Sequence, residues 1–342
     1  MTLSNENFED KTPIQILLKE ARRNKNLKAI FKYENFEELG SGGFGTVYKA
    51  REIKSAKDYA IKVLLTTEDA DTSREYEDEK RFQRFKREIS ILKGFENDNI
   101  VQYFDDAVCD ATGICFIVME YCNAGNVADL IEKGRVPDKC IENYLAIIIQ
   151  ALDGLIELHE NDKIQGIHRD IKPENILICY ENDTNKRSKF KAKLGDFGLA
   201  KAFDSASLTS ISPIRSNTES SQRSKLKKLQ FSPQFTSRNL IRDWKNATPQ
   251  TDVWSMAATL YYMLTDGDYP RDFSNISDEL DIIEVIRKSK PISIRERNAS
   301  IHKDLVNIID KALNEYDDYY STGAEFQQDL IRFVESQNSN NR

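Results

Sequence analysis

At 342 residues, 39% hydrophobic and 31% charged, the chain is long enough to bury a sizeable core in one or two domains. It has no run of about 18 or more apolar residues, the best candidate being Val253 to Leu264, which argues against a membrane span, and its early Glu and Asp residues do not form a basic-then-apolar leader. A net charge of −7 argues against a general nucleic-acid binder, while five cysteines without a C-x-x-C pair, beside three histidines, favour neither disulfides nor zinc and point to a reducing, cytoplasmic compartment.

Residues 1–10 are polar. Thr12-Pro13 reads as an N-cap with proline in the first helical turn, and Ile14, Leu17, Leu18 and Ala21 recur at helical spacing. This helix, with the basic run Lys19 to Lys28, is expected to pack on the domain after it; a partner or membrane-surface helix is the alternative. Leu39-Gly40-Ser41-Gly42-Gly43-Phe44-Gly45-Thr46-Val47 spells G-x-G-x-x-G-x-V between short alternating stretches, which predicts strand, glycine turn, strand. A dinucleotide site would want a helix after the glycines. Glycines let backbone N–H groups approach phosphate oxygens with no side chain between them.

Tyr59 to Leu65 reads as a mostly buried strand with Lys62 in its middle. A lysine there needs a partner, and the amphipathic run Lys80 to Leu92 supplies Glu88; alternatively Lys62 is an edge-strand solubility residue and Glu88 one charge among many. The acidic stretch Glu68 to Glu79 reads as a solvated connection. Asn99 to Phe104 and Cys115 to Cys122 suit strands, and Asn123-Ala124-Gly125-Asn126 breaks the pattern. Beyond it Ile141, Tyr144, Leu145, Ile148, Leu152, Leu155 and Ile156 follow helical spacing, which puts a boundary near Asn123.

The stretch Ile167-His168-Arg169-Asp170-Ile171-Lys172-Pro173-Glu174-Asn175 concentrates groups suited to moving a phosphoryl group. Asp170 can accept a proton from an attacking hydroxyl, Lys172 can neutralise charge on a transferring phosphate, and Asn175 offers a carbonyl oxygen to a hard cation. Ile176 to Cys179 suits a strand, Glu181 to Lys191 is a polar excursion, and Gly195-Asp196-Phe197-Gly198 follows. From Lys201 to Leu229 hydrophobic periodicity is absent and Ser and Thr are dense between Ser205 and Ser224, interleaved with Arg215, Arg223, Lys225, Lys227 and Lys228: a disordered insertion, a regulatory segment, or both. Thr248-Pro249 opens a helix apolar almost all round, with Trp254 expected in the core. Ile283 to Ile286, Leu305 to Leu313 and Phe326 to Val334 complete a helix-rich half, and Ser336 to Arg342 is expected to fray.

Taken in order, Gly40 to Val47, Lys62, Glu88, His168 to Asn175, Asp196 to Gly198 and Asp252-Val253-Trp254 resemble the motifs of protein kinases, whose catalytic loop reads H-R-D-x-x-x-x-N. Lys172-Pro173-Glu174 is similar to Ser/Thr kinases, and Pro270-Arg271-Asp272-Phe273 and Pro291 to Arg297 are similar to some bacterial members of the eukaryotic type. The resemblance implies an α+β, bilobal fold, a small antiparallel β lobe with one helix and a larger, mainly α-helical lobe, with ATP between them. It implies an N-terminal extension with a helix over residues 1–32, a kinase domain over 33–335 divided at 122/123 with the activation segment at 196–239, and a polar tail over 336–342.

By the same resemblance Asp170, Lys172, Lys62 and Glu88 form the catalytic set, and Asn175 and Asp196 hold Mg2+. Leu39, Gly40, Ser41, Gly42, Gly43, Gly45, Val47, Ala60 and Lys62 bind the nucleotide, with Met119 as gatekeeper, Glu120 and Cys122 in the hinge, and Leu177. The implied activity is transfer of the γ-phosphoryl group of Mg-ATP to Ser or Thr hydroxyls of protein substrates, with control by a phosphate on the activation segment received by Arg169, helped by Lys201 and Arg84. A pseudokinase acting as a binding or scaffold module is the alternative, against which the full set Lys62, Glu88, Asp170, Asn175 and Asp196 speaks. A nucleic-acid or anionic-lipid binder using the basic N-terminal helix and loop could coexist with kinase activity.

One stretch departs from the family pattern. Kinases usually close the activation segment with Ala-Pro-Glu and pair its Glu with an Arg near the domain's C-terminal end. Ser237-Arg238-Asn239 stands at the first place and Tyr319 at the second, so both charges are expected to be absent, with Tyr319 packing or hydrogen-bonding under Asn239.

Overall fold

Five short strands between Tyr33 and Glu120 build one antiparallel sheet. Strands β1 (Tyr33–Gly42), β2 (Gly45–Glu52), β3 (Asp58–Leu65), β4 (Tyr103–Cys109) and β5 (Ile114–Glu120) lie in the order β1-β2-β3-β5-β4. The structure is a computed structural model that describes residues 12–42, 45–65, 72–133, 140–164, 166–180, 190–197, 201–202, 232–243, 246–274, 276 and 279–340. The chain divides into two compact units, Met1–Phe95 with Val101–Cys122, and Glu96–Ile100 with Asn123–Arg342.

In the first unit the register Val47↔Lys62, Lys49↔Ala60, Ala60↔Met119 and Lys62↔Ile117 puts Val47, Ala60, Lys62 and Met119 on one face of the sheet, because paired residues share a face and neighbours along a strand alternate. The opposite face carries Tyr48, Ala50, Ile61, Val63, Phe116 and Val118 in one buried cluster with Ile14, Leu17, Ala21, Leu27 and Ile30. Those last residues come from α1 (Pro13–Ala21) and a 3-10 segment, Lys25–Lys32. Thr12 caps α1, its N–H donating to Gln15 Oε1 at 3.1 Å, and Pro13 opens the first turn. Leu17, Leu27 and Ile30 are fully buried, each worth about 1.5–3 kcal/mol.

Helix α2 (Thr72–Leu92) starts earlier than the amphipathic run at Lys80, so it takes in part of the acidic stretch expected to be a connection. Glu, Arg and Lys are good helix formers, and a helix without an apolar stripe shows no periodicity to read. Farther along, Phe82, Phe85, Ile89 and Leu92 are buried. Strand β4 begins at Tyr103, later than the apolar run at Asn99 suggests. Asn99 belongs to the second unit, where its carbonyl accepts Leu194 N–H at 2.8 Å and its Nδ2 donates to Ala192 O at 2.8 Å.

That second unit is mainly helical. Its centre is α4 (Ile141–Glu160), after the short α3 (Val127–Glu132), together with a later helix, Pro249–Leu264. Leu145, Ile148, Leu152 and Leu155 of α4 are buried, and a Cβ on Gly154 would lie 2.4 Å from Asn99 O, so glycine is required for that approach. Two small ladders follow, β6 (Gly166–Ile167) with β9 (Lys201–Ala202), and β7 (Ile176–Tyr180) with β8 (Phe190–Leu194). After them come α5 (Arg238–Arg242), α6 (Pro249–Leu264), α7 (Glu279–Lys288), α8 (Ile294–Arg297), α9 (Lys303–Ala312) and α10 (Gly323–Asn340). In α6 the buried hydroxyls of Ser255 and Thr259 donate back to Thr251 O and Ser255 O, which lets polar residues sit among Trp254, Leu260 and Tyr261. Helix α10 continues to Asn340, into the polar stretch expected to fray, whose last two residues lie outside the described ones. Among the described residues no helix is long and apolar enough to cross a membrane.

Candidate active site

In the first unit, Lys62 lies on central strand β3, which rules out the edge-strand reading. Its Nζ donates to both carboxylate oxygens of Glu88 at 2.8 Å, and the two side chains are 6% and 2% exposed. Burying both charges is tolerable because each satisfies the other. The ammonium belongs to the face shared with Val47, Ala60 and Met119. At the end of the β1–β2 hairpin, Gly40 pairs with Val47, Ser41 with Thr46 and Gly42 with Gly45. Gly45 has φ +116° and a Cβ there would meet Val63 O at 2.5 Å, whereas Gly40 and Gly42 face open space. Glycine is therefore structural at Gly45, and at Gly40 and Gly42 it leaves the room that a phosphate-binding backbone needs. Ser41 Oγ and Thr46 Oγ1 are 2.9 Å apart, Leu39 is exposed, and Cys122 is buried. Glu120 exchanges hydrogen bonds with Gln102, donating its N–H to the carbonyl at 2.9 Å and accepting Gln102 N–H on Oε2 at 3.3 Å.

In the second unit the loop after β6 is held by Asp252 of α6. Its fully buried carboxylate accepts His168 N–H at 2.7 Å and Arg169 N–H at 2.8 Å, and lies 2.9 Å from His159 Nε2. Burial alone would push this carboxyl up, but the hydrogen bond and charge of His159, the charge of His168 and the Arg169 N–H outweigh it and hold the group below its ordinary value. These bonds sustain Arg169 at φ +69°, a conformation that costs a non-glycine residue about 1–3 kcal/mol. His168 Nε2 lies 3.1 Å from Gly195 O, and its Nδ1 lies 3.4 Å from Asp170 N.

Asp170, buried, accepts from Lys172 Nζ at 2.9 Å and from Asn175 Nδ2 at 3.2 Å, and Nδ2 also donates to Asp170 O at 2.7 Å. Lys172 Nζ donates further to Ser232 Oγ at 2.8 Å. Gly195 N–H donates to Asn175 O at 2.9 Å, tying the residue before Asp196 to this network. Because the Asn175 amide nitrogen faces Asp170, its side-chain oxygen is the atom left to face a cation. Among the described residues no group of three or more His, Cys, Asp or Glu could hold a metal. Asn175 and Asp196 offer two hard oxygens, a set that fits Mg2+, which takes one or two protein ligands and completes its octahedron from phosphates and water. Leu177 sits half-buried in β7, bridged to Asn126.

The structure thus brings Lys62 to Glu88 in one unit and Asp170, Lys172 and Asn175 together in the other. Gly43, Phe44, Gly198 and the Ser and Thr residues from Ser205 to Ser224 lie outside the described residues. Sequence reasoning missed His159 and Ser232. The only sign of His159 is its place at the end of α4, and nothing local marks Ser232 as a partner of Lys172.

The expectation for Asn239 and Tyr319 is overturned. Asn239 Nδ2 donates to Gln250 Oε1 at 3.4 Å and Tyr319 is 39% exposed. A charged pair is present, made of other residues: the fully buried Glu315 accepts Arg271 Nη2 at 2.7 Å and Arg238 N–H at 2.5 Å. Counting along the chain could not see that Glu315 meets the Arg271 side chain and the Arg238 backbone.

Comparison with known proteins agrees with this geometry. The family model for the protein kinase domain matches residues 33–328. The chain is 37% identical over 171 residues to serine/threonine-protein kinase 1 of Arabidopsis thaliana, covering 49% of this chain and 18% of that protein. It is 30% identical over 269 residues to serine/threonine-protein kinase KIC1 of Saccharomyces cerevisiae, covering 78% and 21%. To serine/threonine-protein kinase PknB of Mycobacterium leprae it is 30% identical over 306 residues, covering 88% and 43%. The chain therefore spans less than half the length of each of these relatives.

Proposed function

The chain belongs to the protein kinase family, and from that premise we propose that it transfers the γ-phosphoryl group of Mg-ATP to Ser or Thr hydroxyls of protein substrates. The observation that carries the reading is the buried Asp170 carboxylate, held between Lys172 at 2.9 Å and Asn175 at 3.2 Å. ATP supplies the phosphoryl group and Mg2+ neutralises its charge when they are bound. Asp170 accepts the proton of the attacking hydroxyl, and Lys172 offsets charge on the phosphate in flight. Asn175 and Asp196 would hold the metal, and Lys62, oriented by Glu88, would hold the α- and β-phosphates. The backbone from Gly40 to Gly45, Ser41 included, would cover them. Leu39, Val47, Ala60 and Met119, and separately Leu177, would contact the base, and the backbone of Glu120 and Cys122 would hydrogen-bond it. The presence of Lys62, Glu88, Asp170, Asn175 and Asp196 supports an enzyme over a binding-only module.

We take the catalytic domain as residues 33–335, preceded by a helical extension, with activity raised by phosphorylation between Ser205 and Ser224. Five free cysteines support work in a reducing, cytoplasmic compartment. The direct test is transfer from radiolabelled ATP to the protein itself and to a Ser/Thr peptide library, wild type beside Asp170→Asn. The variant should lose about 10²–10⁴ in rate while still binding nucleotide; undiminished transfer by it would overturn the assignment.

A further inference from the structure

We propose that Glu315 and Arg271 are positioning residues, a buried ion pair of reversed polarity that holds the segment Ser232 to Arg238 against the Asp170 loop. The inference rests on the phosphotransfer reading above and concerns how this chain organises that site. Arg271 and Glu315 side chains are 1% and 0% exposed. From this pair a series of hydrogen bonds, closed by one ion pair, runs to the candidate catalytic carboxylate. Glu315 Oε1 accepts Arg238 N–H at 2.5 Å, and Arg271 Nη1 donates to Thr236 O at 3.2 Å. Thr236 Oγ1 donates to Ser232 O at 2.8 Å. Ser232 Oγ accepts Lys172 Nζ at 2.8 Å, and the same ammonium lies 2.9 Å from Asp170 Oδ2.

Each member of the pair is itself fixed. The Arg271 guanidinium lies 4.7 Å from the Trp254 ring centroid, and Trp254 Nε1–H donates to Leu313 O at 3.0 Å, close in sequence to Glu315. A second cation, Arg238, would leave one carboxylate facing two guanidinium groups. Its Nη2 donates to Ser289 O at 2.7 Å and its Nε to Ile286 O at 3.4 Å, both at the C-terminal end of α7, where carbonyls carry negative partial charge. The site is thus balanced by one carboxylate and one helix end.

Stability alone does not explain such a device, since well-packed apolar residues replace a buried ion pair at little or no cost. What apolar residues cannot reproduce is direction. The guanidinium fork and the carboxylate each take a specified backbone atom, Thr236 O and Arg238 N–H, and so determine where the chain between them lies. The usual acid position is Asn239, which turns instead to Gln250, and the acid reaches the same segment from beyond α9.

The decisive comparison is wild type, Glu315→Gln, and the paired Arg271→Met with Glu315→Leu, which leaves no charge stranded. All three are assayed for peptide phosphorylation with peptide and ATP varied separately, and for hydrogen exchange across residues 232–238. In the folded double variant we expect kcat/KM for peptide to fall by about 10²-fold, the scale of a roughly 1 Å misplacement, with KM for ATP unchanged and the Arg238 amide exchanging faster. Peptide kinetics and exchange equal to wild type would overturn the inference, as would a parallel fall in peptide and ATP parameters, which marks a merely structural pair. If wild type transfers no phosphate, the phosphotransfer reading fails separately, and faster exchange in the variant still decides whether the anchor exists.

Discussion

Two buried ion pairs, one in each unit, are built differently. Lys62 meets Glu88 through one ammonium that touches both carboxylate oxygens at 2.8 Å. Arg271 meets Glu315 through one nitrogen at 2.7 Å and spends another on the backbone at Thr236, with its flat face toward Trp254. A lysine is a compact charge on a flexible stem that can turn toward an arriving anion; an arginine fork engaged with backbone cannot turn without releasing the chain it holds. Burial by itself does not separate a ligand-facing charge from a tether, whereas the distribution of donors does.

The largest effect should come from breaking the lysine pair. Lys62→Met strands Glu88 in the interior, which should cost about 3–5 kcal/mol in urea denaturation, and should lower phosphoryl transfer by about 10²–10³. Adding Glu88→Leu should recover most of the stability and none of the transfer. Recovery of transfer would erase the distinction between the two pairs.

Asp252 is another buried acid, and pH probes it. Its carboxyl is held below its ordinary value despite burial, by His159, His168 and the Arg169 N–H. The stability it contributes is therefore complete above the unfolded-state value near pH 4 and is lost as pH falls through the lower folded-state value. Asp252→Asn should cost about 3 kcal/mol at neutral pH, since bonds to a charged acceptor are lost, and should flatten the acid limb of melting temperature against pH. An unchanged acid limb would place that sensitivity elsewhere.

Arg271→Lys sharpens the comparison because it keeps the charge and loses the fork. Guanidinium donors to Thr236 O and Glu315 cannot all be replaced by one ammonium, so a loss of about 2 kcal/mol is expected in chemical denaturation. The exposed pair Lys32–Asp105, with side chains 54% and 31% exposed, is the control: Lys32→Ala should change stability by only about 0.2–1 kcal/mol, and less in high salt.

How much of the site was legible depends on how far apart its residues stand in the chain. Asp170 and Asn175 are 5 apart, close enough for one loop to display both, and their residue types name the chemistry. Lys62 and Glu88 are 26 apart, and only a lysine in an apolar strand followed by a glutamate in an amphipathic run hinted at the pair. Lys172 and Ser232 are 60 apart, and no local pattern joins them. For Asn239 and Tyr319 counting positions went astray, because packing in three dimensions needs an acid at one point in space and does not require it at one place in the chain.

The sequence by itself determined the order of strands and helices, the glycine hairpin, and the chemical groups of the Asp170 loop, because these follow from local backbone preference, from the periods of 2 and 3.6, and from side-chain type. It did not determine where charges are buried. Only the tertiary structure decided that Lys62 lies on a central strand, that Asp252 holds the backbone of His168 from 84 residues away, and that Glu315 answers two arginines. The physical reason is that removing a charge from water is costly unless particular partners meet it, and which partners meet is a property of the packed whole, beyond the reach of any one stretch.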